Sequence, residues 1–210
     1  MGSINRFDLD GIKRRFNISN FIETGTWKGD AIAIALNTSF RNIISIEIVP
    51  DLAEKAKARF DQHKEVKIIA GDSETVLSKE LPSVSGNCLF WLDAHFPGAD
   101  EGIKGYDEEE NDWLRLPLEN ELNAIRTCRT VNADVIIIDD LRIYEEGVYE
   151  KGNAPTDTLP KSIRNLDFLY LNFNETHHII KSYKDEGYIL VFPKLLISEE
   201  ELKDFQFYNS

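Results

Sequence analysis

Long apolar runs are missing from this chain of 210 residues. No stretch approaches the roughly 20 apolar residues of a membrane-spanning helix, so no membrane span is expected. The opening residues, MGSINRFDLDGIKRRF, lack the apolar core of a secretory leader. A cytoplasmic protein is therefore expected, and Met1-Gly2-Ser3 is compatible with a domain cut from a longer chain. Cysteine is scarce. Cys88 and Cys128 form neither a metal-type pair nor a disulfide framework, and they read as buried or half-buried thiols in a reducing compartment. Positive charge is also short: 24 Lys and Arg face 37 Asp and Glu, a net charge of −13. Nucleic-acid binders normally present a basic face, so nucleic acid is not expected as a substrate. The surplus acid leaves room for a divalent cation or a cationic ligand. There is no internal repeat and no low-complexity tract, and the length fits one domain over residues 1–210.

What the chain does have is alternation. Short apolar runs rich in Ile, Val and Phe (NFIETG, NIISIEI, EVKIIAG, NCLFWLDAH and ADVIIIDD) read as strands covered on both faces. Helix-like stretches separate them: GDAIAIALNT, PDLAEKAKARFDQH with Pro50 at its start, SETVLSKEL and PLENELNAIRTCR. Such alternation implies a parallel sheet wound by right-handed crossovers. The run HHIIKSYKDEGYILVFP breaks the pattern. It reads as two strands joined around Asp185, Glu186 and Gly187, hence an antiparallel C-terminal hairpin, with His177 and His178 in the turn before it. The expected class is α/β: a Rossmann-like, seven-stranded, mostly parallel sheet with helices on both faces. Two acidic, Gly-containing loops follow the fourth and fifth strands, over residues 97–113 and 142–158. They leave the carboxyl edge of the sheet, where open α/β proteins bind ligands. Residues 97–113 read as a lid or as a solvated insertion.

The turn FIETGTWKGD follows the first strand. A P-loop ends in Gly-Lys-Ser/Thr, whereas here Lys28 precedes Gly29 and Asp30 follows it. A dinucleotide fingerprint begins with a glycine, and Glu23 stands in that place, where its charge opposes a pyrophosphate. Acid-x-Gly-x-x-x-Gly at this point resembles motif I of class I S-adenosylmethionine-dependent methyltransferases. Other strand ends extend the resemblance: Glu47 after IISIEI, Asp72-Ser73 after IIAG, and Asp93 in FWLDAH. The resemblance runs from about Phe16 to Pro193. It implies S-adenosylmethionine as cofactor, with Glu23, Thr24, Gly25, Thr26 and Gly29 against the methionine part. Glu47 would then meet the ribose, Asp72 and Ser73 the adenine, and Asp93 the region near the methyl group. Each acid has a plainer reading as a helix cap, Asp72 above all.

WLDAHFPG and IIIDDLR bring Asp93, His95, Asp139 and Asp140 to one edge if their strands are neighbours. Three carboxylates at one place repel unless a cation or proton intervenes. Asp93, Asp139 and Asp140 therefore suit Mg²⁺ or Mn²⁺, and the arrangement resembles metal-dependent sugar and catechol O-methyltransferases. The interval between Asp93 and Asp139 is long for those families. WLDAH…G…PLENEL instead resembles methyltransferase-like proteins that accompany glycan synthesis. Asp93, His95 and Asp140 are the candidate catalytic residues, and in the metal-free alternative Asp139 or Asp140 caps a following turn. His95, with an ordinary pKa near ~6.5, would take the proton of an attacking hydroxyl, or Asp93 would do so. Trp27, Trp91, Trp113, Tyr106, Tyr144 and Tyr149 read either as core or as surfaces on which a sugar or adenine stacks. The expected activity is O-methylation of a sugar, glycan or other small hydroxylated acceptor. The competing readings are a nicotinamide-dependent oxidoreductase on a similar sheet and a non-catalytic methyltransferase-like binding module. Nothing in the sequence sets the oligomeric state.

Overall fold

The computed structural model describes residues 3–98, 111–129, 132–154 and 164–209. Seven strands form one sheet: β1 (Ile18–Thr24), β2 (Asn42–Glu47), β3 (Val66–Ala70), β4 (Asn87–Leu92), β5 (Val135–Ile138), β6 (His177–Ser182) and β7 (Tyr188–Pro193). Their order is β3-β2-β1-β4-β5-β7-β6. The first five are parallel, while β7 runs antiparallel to both β5 and β6. Side chains alternate across each strand, so the sheet carries a core on either side. On one face Ile22, Phe90, Ile138 and Val191 meet α4 (Ser73–Glu80), α6 (Leu118–Cys128) and α7 (Asp167–Phe173). On the other face Phe21, Trp91, Ile137 and Phe192 meet α1 (Leu9–Phe16), α2 (Asp30–Asn37), α3 (Pro50–Arg59) and α8 (Glu199–Asp204). The short α5 (Asp112–Arg115) precedes α6. Among the described residues, no helix is long and apolar enough to cross a membrane.

Local chemistry starts the helices where the sequence suggests. Pro50 occupies the first turn of α3, where its missing N–H costs nothing. The Asp72 carboxylate accepts from Thr75 N at 2.8 Å and caps α4. Ser198 and Glu201 close a reciprocal capping box on α8. One reading is corrected. His177 and His178 do not sit in a turn but open β6, where His177 Nδ1 lies 2.8 Å from Thr176 Oγ1 and His178 Nε2 lies 3.0 Å from Ile197 O. Burial favours the neutral imidazole of His177 and lowers its pKa to about 4. Both cysteines are free thiols, Cys88 buried and Cys128 half-buried.

The strand order reverses direction between β1 and β4, which opens a crevice at their carboxyl ends. Register fixes what faces it. Thr24 lies beside Leu92, and Leu92 beside Ile138, so the residues following β1, β4 and β5 emerge at one level. Two backbone bonds continue that alignment beyond the strands: Asp93 N donates to Thr24 O at 3.1 Å and Asp139 N to Leu92 O at 3.0 Å.

Candidate active site

A cleft with about 820 Å³ of space open to solvent lies over the crevice. Gly25, Trp27 and Glu47 line one side, Asp72 and Ser73 another, and Asp93 and His95 a third. Gly25 must be a glycine. Its φ is +83°, and a Cβ there would stand 2.7 Å from Asp93 O and 2.9 Å from Asp93 C, which are backbone atoms that cannot step aside. The turn after β1 and the exit of β4 are thereby brought into contact.

The structure divides the residues read from the turn into two groups. Glu47, Asp72 and Ser73 do face the cleft. The Glu47 carboxylate also organises the turn, since it accepts from Trp27 N at 2.8 Å and Val49 N at 2.9 Å. Each of its oxygens keeps a second lone pair for a ligand. Asp72 both caps α4 and lines the cleft. Glu23, Thr24 and Thr26 lie beneath the cleft, all buried. Ser45 Oγ donates to Glu23 Oε2 at 2.5 Å and lies 2.5 Å from Thr26 Oγ1. Burial is the main reason that the Glu23 pKa rises to about 8. Gly29 is the N-cap of α2 at φ +80°, and a Cβ there would meet the Phe60 ring at 2.6 Å, so its small size serves packing on Phe60.

At the far edge stands the acid–histidine cluster. His95 Nε2 lies 2.9 Å from Asp140 Oδ2, and its Nδ1 lies 3.7 Å from Asp93 Oδ1. Asp140, itself at φ +56°, also meets Arg142 Nε at 3.2 Å. Arg142 NH2 in turn stands 3.7 Å from Glu186 in the β6–β7 turn. Burial alone would lower the His95 pKa. The hydrogen bond to Asp140 and the charges of Asp140, Asp93 and Asp139 outweigh it and raise the value to about 10. These neighbours favour the imidazolium form, which holds no lone pair for a substrate proton. Burial and the Asp139 charge push Asp93 well above the usual carboxylate range. Asp139 rises to about 7 through burial and the Asp140 charge, and both its oxygens are buried without a hydrogen-bond partner. Asp140 goes the other way: burial opposes ionisation, but the bond and charge of His95 and the charge of Arg142 hold it below the usual range.

The expected Mg²⁺ or Mn²⁺ finds no fit. Among the described residues no three His, Cys, Asp or Glu side chains converge as a metal would require. Asp140, one of the three proposed ligands, is already taken up by His95 and Arg142. The aromatic residues separate by burial. Trp91, Tyr144 and Tyr149 are core, Trp27 lines the cleft, and Trp113 is 56% exposed. Most of the proposed lid, residues 99–110 with Tyr106, lies outside the described residues, as do residues 155–158 of the second loop.

One acid escaped the sequence reading. Glu121, in α6, is 1% exposed and lies beneath the cleft beside Thr24 and Ser73. It reads as one more surface acid in PLENEL. Its spacing from Leu118, Leu122 and Ile125 was the available signal that it shares their buried face.

This arrangement of sheet, crevice and Gly-bearing turn is the class I S-adenosylmethionine-dependent methyltransferase fold, and solved structures of that class share it. A Podospora anserina methyltransferase bound to S-adenosylhomocysteine matches with a TM-score of 0.54 at 16% identity, over 88% of this chain and 76% of its own. A proposed caffeoyl-CoA O-methyltransferase from Staphylococcus aureus gives 0.56 at 14% identity, over 88% and 80%. A proposed rRNA methylase from Clostridium thermocellum gives 0.58 at 8% identity, over 92% and 100%. No protein-family model and no curated protein sequence matches the chain.

Proposed function

We propose that this protein is a cytoplasmic enzyme that moves a methyl group from S-adenosylmethionine to a hydroxyl oxygen of a sugar, glycan or other small hydroxylated acceptor. The observation that carries the reading is a single cleft. It joins the backbone contact of Gly25 with Asp93, the inward-facing Glu47, Asp72 and Ser73, and the Asp93–His95–Asp140 cluster at its edge. When bound, S-adenosylmethionine supplies a methyl carbon activated by its positive sulfonium. Glu47 would accept from its ribose hydroxyls, and Asp72 and Ser73 would hold its base. Asp93 carries a carboxyl whose raised pKa suits it to take the acceptor's proton as the oxygen–carbon bond forms. A cation in the cleft favours its ionised form. His95 and Asp140, anchored by Arg142, hold positive charge beside Asp93 and fix its orientation. The surrounding acids repel phosphorylated or carboxylated acceptors and favour neutral ones.

Thermal unfolding tests the cofactor. S-adenosylhomocysteine at 100 times its Kd should stabilise the protein by about 2.7 kcal/mol, while NAD and ATP should leave the melting temperature unchanged. A shift with NAD alone would move the protein to the oxidoreductases. Methyl-release assays against hydroxylated sugars then separate an enzyme from a binding module.

A further inference from the structure

Helix α5 and the residues just after it border two cavities. Leu114 and Pro117 line the cofactor cleft, whereas Trp113 and Leu116 line a separate pocket. Tyr144 and Phe168 are its other aromatic walls, and Asp112 and Glu119 bring carboxylates to it. The Tyr144 and Phe168 rings stand edge to face, 6.0 Å apart at 72°. The Trp113 ring keeps 56% of its surface open. The two carboxylates differ. Asp112 Oδ1 stands 2.9 Å from Arg115 Nη2. Glu119 is half-buried and has neither a hydrogen bond nor an ion pair among the described residues. A carboxylate that gives up part of its hydration without a countercharge is costly, and a bound cation relieves that cost. Aromatic faces are negative and attract the same kind of ligand. The pocket also adjoins the reacting groups. Phe96 N donates to Arg115 O at 2.9 Å and ties α5 to the segment that carries Asp93 and His95. Tyr144 closes the turn that begins at Asp140.

We propose that this pocket is an acceptor subsite for an organic ammonium group, held against Trp113, Tyr144 and Phe168 and paired with Glu119. The molecule methylated then carries an ammonium as well as a hydroxyl, as an amino sugar does. The acceptor role rests on the S-adenosylmethionine reading above, while the ammonium site stands on the pocket itself. A neutral ring gains only from the aromatic walls. An ammonium gains from the walls and from Glu119, and the net charge of −13 draws it toward the protein. Anions are refused by the same carboxylates.

Tetramethylammonium chloride and tert-butanol are the probes, one charged and one neutral, with nearly the same outline. Sodium chloride at equal concentration controls for ionic strength. Binding is followed through the indole N–H resonances of the full chain, with Trp113→Phe assigning that of Trp113. Tetramethylammonium should shift the Trp113 resonance saturably, and tert-butanol should bind at least about tenfold more weakly. Glu119→Gln should weaken tetramethylammonium about fivefold and leave tert-butanol unchanged. The affinity of that variant for S-adenosylhomocysteine, by calorimetry, should match wild type. Equal binding of the two probes, no saturable shift, or a shift confined to Trp27 in the cofactor cleft overturns the proposal. So does a tetramethylammonium affinity that Glu119→Gln leaves intact. If Glu119→Gln does not fold, the ratio of the two probes on wild type decides the question. Tetramethylammonium bound at Trp113 by a protein that does not bind S-adenosylhomocysteine overturns the methyltransferase reading, and the acceptor role with it. S-adenosylhomocysteine binding without tetramethylammonium binding overturns this proposal alone.

Discussion

Glu23 and the Asp93–His95 pair show how single residues set the pH behaviour of the whole. Glu23 has a folded pKa near 8 against an ordinary 4.5, so the native state holds its proton where the unfolded chain releases it. The stabilisation is fully present below pH 4.5 and fades as pH rises toward about 8. Glu23→Gln keeps an acceptor for Ser45 and removes the titration. Urea unfolding should show the variant more stable than wild type at pH 8, by a few kcal/mol at about 1.4 per unit of pKa. The two should converge near pH 4.5. The Asp93–His95 pair makes a separate prediction for rate. Turnover should rise as Asp93 loses its proton, at a midpoint above the ordinary carboxylate range, and fall as His95 loses its proton near pH 10. The kcat/KM profile of His95→Gln should lack the falling limb. A rising midpoint near pH 4 would return the base role to a group of ordinary acidity.

At the scale of elements, the far end of the sheet is held by charge. Asp134, just before β5, accepts from Cys88 N at 2.7 Å and from Arg129 Nε at 2.8 Å. Arg129 also donates to the carbonyls of Val84 and Gly86, at 2.7 and 2.6 Å. The amino ends of β4 and β5 are thus joined through one guanidinium. Arg129→Met leaves Asp134 buried with a charge it cannot share, and should cost about 3–5 kcal/mol. Since this clasp lies at the opposite end of the strands from the cleft, S-adenosylhomocysteine affinity should hold in the folded fraction. Denaturant melts beside calorimetry separate the two effects.

The same scale shows what was legible in the residues. Strands β1 to β5 lie where continuous apolar runs place them, and the hairpin follows its Asp-Glu-Gly turn, because burial on both faces leaves a pattern that neighbours cannot disguise. Gly25 and the cleft acids Glu47, Asp72 and Asp93 could be found because a strand end marks each one. The pairing of His177 and His178 was hidden, since an edge strand buried on one side only resembles a polar loop. The ionisation of His95 was hidden for another reason. It depends on Asp140, which is 45 positions away in the chain and brought near only by the β4–β5 register. Glu121 was missed because helical acids are read as solvated until a partner surface is known.

On the scale of the whole molecule, the two ends of the described chain grip each other. Asp8 N donates to Phe207 O at 3.0 Å, Asn209 N to Arg6 O at 2.8 Å, and Asn209 Nδ2 to Phe7 O at 3.0 Å. The Phe7 and Tyr208 rings stack at 5.0 Å, and Tyr208 Oη donates to Ser182 Oγ at 2.5 Å. Phe7 reaches inward from this clasp to Tyr188, at 5.1 Å, and Trp91, at 6.3 Å. Tyr208→Ala should therefore cost about 2 kcal/mol in chemical denaturation while unfolding stays a single transition, as expected where a half-buried ring is lost from a continuous core.

That grip also has a consequence in time. Asn209 follows Phe7 by 202 positions. At about 5–20 residues per second, a ribosome needs roughly 10–40 s to make the intervening chain. For all of that interval Phe7 and the β1 side of its core have no lid, although β1 and β2 are already available to pair. The amino-terminal half must therefore wait with an apolar face open to water, and to any chaperone present, until residues 207–209 emerge and close it.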